Sequence, residues 1–184
     1  MAPLSSSHVS AHFTRAELNY NAAPLGVRPN LERLAAFLET VRQVIGVPLR
    51  VTSGYRSPER NASLSGASAT SQHMDGTAAD FVPVGLSVPD AMSRLLGSGI
   101  RSEWGQLIAY PYGSHVHIAL PTRGKVGEVL AQVSPDSSRP RYVPYTAAQY
   151  VAIENARRTG AVTNVAVAVA GAAGVAAFTL PRKG

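Results

Sequence analysis

An α+β domain, with a small antiparallel sheet flanked by helices and a helical apolar tail behind it, is the fold class this sequence predicts. Three observations predict it. Leu31, Leu34, Ala35, Leu38, Val41 and Ile45 recur at the spacing of one helix face. Two apolar runs, 104–110 and 115–120, flank Pro111-Tyr112-Gly113-Ser114, which reads as a four-residue hairpin loop. Shorter strand-like stretches at 48–52 and 79–84 are punctuated by Gly and Pro. At 184 residues the chain can bury one sizeable core with some length to spare.

The elements follow in order. Residues 1–11 read as a loose leader. Phe13 to Leu18 reads as a helix start, with Thr14 as N-cap, Glu17 as its capping-box partner, and Phe13 and Leu18 as a hydrophobic staple. Asn30 opens a second helix that Gly46 and Pro48 stop. A strand at 48–52 leads into the turn Ser53-Gly54-Tyr55-Arg56-Ser57-Pro58. Residues 60–72 are small and polar and predict a loop. The strand at 79–84 carries Asp80 on one face. Ser87 starts another helix, with Pro89 in its first turn, and Gly97 ends it.

The hairpin closes a domain expected to span 1–132. Residues 133–145 read as a linker by composition. A helix at 146–158, ending at Gly160, opens a C-terminal segment running to 184. Residues 161–180 are twenty positions without a charge, bracketed by Arg157-Arg158 and Arg182-Lys183. That length matches a bilayer core, but Ala, Val and Gly dominate, so insertion is marginal. A membrane span or membrane-active tail, a buried or oligomer-forming helix, and a disordered tail all stay open.

The balance of 17 basic against 11 acidic residues gives +6. Such a charge suits an anionic partner: nucleic acid, anionic lipid or the acidic polymers of a bacterial wall. The basic residues are scattered single arginines rather than a dense block, so no nucleic acid is expected. The absence of cysteine excludes disulfides, thiolate metal sites and thiol catalysis. Residues 1–8 show no basic region followed by an apolar run, so synthesis in the cytoplasm without a secretory signal is expected.

The chemistry concentrates in two stretches, 71–80 and 114–118, which hold three of the five histidines. His115 and His117 are two apart on an expected strand and so face the same way. His73 and Asp80 are separated by a turn at Gly76 that can bring both to one ion. Two imidazoles and a carboxylate, with a fourth position open for water, suit zinc best, although other divalent ions accept the same donors. Any one of these residues alone would be an ordinary surface histidine or turn aspartate. The four together favour a site.

Ser53-Gly54-Tyr55-Arg56-Ser57, then Ser71-x-His73-x-x-Gly76-x-Ala78-x-Asp80, then His115-x-His117, resemble the zinc D-Ala-D-Ala carboxypeptidase and murein endopeptidase family, whose fold the hedgehog signalling domain shares. The resemblance runs from about Phe13 to Leu120. It implies that His73, Asp80 and His117 hold zinc, that Arg56 reaches a substrate carbonyl or carboxylate, and that Ser71 anchors substrate or orients the metal loop. Gln106 is expected to line the cleft, and small residues such as Gly66, Ala67, Ser68 and Ala69 would fit small substrate side chains.

One position departs from the family. Many members carry Glu or Asp three residues before the last histidine ligand, and here Ser114 stands there. Some murein endopeptidases place a histidine two before the ligand, where this chain has His115. Three readings follow: His115 as the base, a carboxylate from elsewhere (Glu103 and Asp75 being nearest in sequence), or a weak or inactive enzyme. The resemblance implies a peptidoglycan peptidase acting at the bacterial cell wall or periplasm. With no secretory signal read and an apolar tail present, a phage lytic enzyme is expected, with membrane or virion association through 161–180. The alternative is a zinc-bearing binding or structural module with little hydrolysis.

Overall fold

The computed structural model describes residues 6–122, 124–134, 136 and 138–159. Four helices, α1 (Arg28–Ile45), α2 (Pro58–Ala62), α3 (Val88–Gly97) and α4 (Ala147–Thr159), accompany six strands. The strands are β1 (Leu49–Ser53), β2 (Ala78–Pro83), β3 (Gln106–Tyr110), β4 (His115–Ala119), β5 (Glu128–Gln132) and β6 (Tyr142–Pro144). They form one sheet in the order β1-β2-β4-β3-β5-β6. The α+β class is therefore as the sequence predicts.

Side chains on the strands alternate between two faces. Ala79 and Phe81 of β2, Leu107 and Ala109 of β3, and Val116 and Ile118 of β4 are buried. They join the face of α1 made by Leu31, Leu34, Leu38, Val41 and Ile45 in a single core with Ala91, Met92 and Leu95 of α3. Each Val, Leu, Ile, Phe or Met among them, fully removed from water, contributes roughly 1.5–3 kcal/mol. Helices thus cover one face of the sheet. The opposite face carries Asp80, Gln106, Ile108, Tyr110, His115, His117, Glu128, Leu130, Gln132 and Tyr142, and it floors a cleft.

Several expectations are corrected. The capping box at Thr14 and Glu17 forms, with the Glu17 amide donating to Thr14 Oγ1 at 3.2 Å and the Thr14 amide to Glu17 Oε2 at 2.9 Å. The staple residues Phe13 and Leu18 are fully buried. No helix follows, because Asn19 takes a left-handed conformation (φ 54°) and a 3-10 turn at Tyr20–Ala22 redirects the chain. Residues 60–72 are not all loop: Pro58–Ala62 is a short helix capped by Ser57. The sheet is mixed, since β3 and β5 run parallel.

The sheet also continues past residue 132. Tyr142–Pro144, inside the expected linker, pairs with β5, and Tyr150 of α4 packs in the main core. Among the described residues no helix is long and apolar enough to cross a membrane. The apolar stretch 161–180 lies outside the described residues.

Candidate metal centre

His73, Asp80 and His117 each offer a donor atom, and the three atoms lie within 4.8 Å of one another. Different elements supply them. Asp80 and His117 are directly opposite each other on the antiparallel β2 and β4. His73 comes from the loop before β2. Gly76 turns that loop back with φ +67°, and a Cβ there would meet Val27 at 2.7 Å, so only glycine fits.

The turn at 53–56 fixes the loop from the other side. Gly54 approaches Leu18 so closely that a Cβ would meet backbone at 2.6 Å. The Tyr55 amide donates to the Leu18 carbonyl (3.0 Å), and the Arg56 amide to the His73 carbonyl (3.2 Å). The staple residue Leu18 therefore helps to place a metal-site loop, which links the failed helix start to the site.

The protonation pattern follows from the partners. His73 Nδ1 faces the Gly54 carbonyl at 2.8 Å, an oxygen that only accepts, so Nδ1 carries the proton and Nε2 is bare. His117 Nδ1 lies 2.8 Å from Asp80 Oδ1 and 3.2 Å from His73 Nε2. One proton on that nitrogen is then shared between the two acceptors. Its loss leaves three acceptors facing a common point, as a divalent cation requires. A backbone carbonyl orienting a ligand imidazole is a recurrent feature of metal sites.

Burial sets the electrostatics. All three residues are at most 8% exposed. Burial pushes the Asp80 carboxyl up, but the neighbouring His73 and His117 imidazoles outweigh it and hold the group well below its ordinary 3.8. Burial pushes His117 below its ordinary 6.5, against the opposing pull of Asp80. An ionised carboxylate beside a neutral imidazole is the form that binds metal. Two nitrogens and one oxygen, closely grouped and buried, fit zinc with a position left open.

Arg56 donates from Nη2 to Asp80 Oδ2 at 2.5 Å and from Nε to Ser53 Oγ at 2.8 Å. It thus holds the carboxylate oxygen turned away from the two histidines. A β-bulge at Val51/Ser53 brings Ser53 opposite Asp80.

The cleft above this cluster measures about 600 Å³, within the range of small-ligand sites, and Arg56, Ser71, Gln106 and His115 all line it. His115 stacks on Tyr110 with ring centroids 4.5 Å apart and planes 10° apart. Gln106 donates to Glu128 Oε2 at 2.5 Å. Gly66, Ala67 and Ser68 line the opposite wall. Neither Glu103 nor Asp75 is among the lining residues, nor is Ser114, which sits in the hairpin loop with φ 50°.

Sequence reasoning missed Glu128, Tyr110 and Tyr142, all on the cleft floor. The signal for Glu128 was present as alternation with Leu130 and Gln132. Tyr142 lies in the stretch read as linker. A family model described as Peptidase M15 matches residues 11–119. No curated protein matches the chain.

Proposed function

Because the chain belongs to the peptidase M15 family, we propose that it is a zinc-dependent peptidoglycan peptidase, of the D-Ala-D-Ala carboxypeptidase or L-Ala–D-Glu endopeptidase type, serving as a phage lytic enzyme. The observation that carries this reading is the buried His73–Asp80–His117 cluster on the floor of an open cleft. A zinc ion held there supplies Lewis-acid polarisation of a peptide carbonyl and a water of lowered pKa.

The chain's own residues do the rest. His115 lies two residues from His117 on the same strand face, about 7 Å along the backbone. Its imidazole takes a proton from the attacking water and returns it to the leaving amine. Stacking on Tyr110 fixes its ring plane. Arg56 keeps Asp80 aimed, and its remaining N–H groups serve a substrate oxygen. The small residues Gly66 and Ala67 leave room for alanine-sized substrate side chains.

The test is digestion of purified peptidoglycan, with and without chelator, followed by mass identification of the released peptides. Chelator-sensitive cleavage at a D-alanine or L-Ala–D-Glu bond is expected. Zinc occupancy without cleavage would instead favour a binding module, a reading that Ser114 in place of the family's acid supports. Membrane or virion association through 161–180 is tested by fractionating the full chain against a form ending at Thr159. That cut keeps α4, whose Tyr150 and Ile153 are buried. Equal partitioning of the two forms would remove the association.

A further inference from the structure

The cleft holds a second polar feature that the metal chemistry does not use. Tyr110 of β3 and Tyr142 of β6 meet hydroxyl to hydroxyl at 3.2 Å, with rings edge to face at 6.2 Å. Both line the cleft. Tyr110 also carries His115 on its face, so His115, Tyr110 and Tyr142 form one aromatic wall beside the cluster.

Two phenols bring two O–H donors. Their mutual bond uses one, and no other described residue bonds to either hydroxyl. One donor is therefore left over in the wall of the cleft, whereas Gln106 and Lys125 both pair with Glu128. Burial, the neighbouring phenol and the negative charge of Asp80 push Tyr110 well above its ordinary 10.0, and burial raises Tyr142. Both remain neutral donors across the physiological range. That Asp80 and Arg56 both act on Tyr110 places the pair close to the metal ligands.

We propose that the Tyr110–Tyr142 hydroxyl pair is a substrate-binding element, in which Tyr110 donates to Tyr142 and Tyr142 donates to an acceptor oxygen of the peptide next to the scissile amide. Tyr142 is assigned to the substrate because Tyr110 is already stacked against His115. Tyr142 lies beyond residues 11–119, the part of the chain that the family model matches. The inference rests on the peptidase reading above.

The experiment measures KM and kcat of zinc-loaded full-length protein on soluble muropeptides from purified peptidoglycan. The proteins are wild type, Tyr142→Phe, Tyr110→Phe and the double variant, each with its zinc content and melting temperature. Tyr142→Phe should raise KM about tenfold, the scale of one hydrogen bond, and change kcat less than about threefold. Zinc content should not change. The double variant should be no worse than Tyr142→Phe, because the two hydroxyls act as a unit. A KM within about twofold of wild type in Tyr142→Phe overturns the inference and leaves the peptidase reading standing, whether or not the melting temperature falls. Wild-type protein that neither cleaves nor binds muropeptides removes both together.

Discussion

The two halves of the site are built to different standards of rigidity. On β2, β4 and the 71–76 loop, every metal-site side chain is buried and tied to at least two partners: His73 to Gly54 and His117, His117 to Asp80, Asp80 to Arg56. On the hairpin tip, His115 is half-buried, held by a ring stack, and follows a serine in a left-handed conformation. The difference suits the roles proposed for the two halves. A metal site gains affinity from ligands already in place, whereas a proton carrier must meet a substrate and let it go.

The largest test of this contrast is His73→Ala. It removes a buried ligand and should abolish both zinc binding, read by metal analysis, and cleavage. His115→Ala should keep full zinc content and lower kcat by about 10²–10⁴-fold, the worth of a positioned acid–base group. Loss of zinc from His115→Ala would erase the distinction, because His115 would then be a ligand.

Acid should find the rigid half first. For metal-free protein, His117 resists protonation in the fold, so stability falls as pH drops through 6.5, where the unfolded chain takes up a proton the folded one refuses. Asp80, held well below 3.8, adds stability above that value that is lost as pH falls through its folded pKa. Melting temperature of chelator-treated protein should therefore decline from pH 7.5 to 5.5 and again toward pH 3. A flat profile would mean that the cluster is more open to water than its burial indicates.

The smallest effect concerns the hairpin half. Arg157 of α4 donates to the Tyr112 carbonyl at 3.0 Å and reaches Ser114 Oγ at 3.5 Å, pinning the hairpin tip. Arg157→Ala should lower kcat by about two- to fivefold through misplacement of His115, with zinc content unchanged. An unaltered kcat would show that the Tyr110 stack alone suffices.

The same division explains what could be read from the sequence. His73, Gly76, Asp80 and the His115–His117 pair sit in short motifs whose spacing the backbone imposes, and in β4 the two histidines alternate with Val116 and Ile118. Asn19 overrode a capping box that was correct in every local detail, because a single left-handed residue ends a helix that has only begun. The far side of the cleft was hidden for another reason. Strand β6 is three residues long, too short for alternation to stand out, and the alternating β5 reaches the cleft through its parallel pairing with β3, which its own residues do not announce. Tyr142 also gains its meaning from Tyr110, thirty-two positions earlier.

Strand β3 stands between β4 and β5, so the sheet seats the earlier part of the chain and the later part side by side beneath one opening. Read in order, the chain completes the His73–Asp80–His117 cluster before it reaches Glu128, Leu130, Gln132 and Tyr142, which line the same cleft. A substitution in that later stretch can therefore reshape the cleft while the three clustered side chains stay in place.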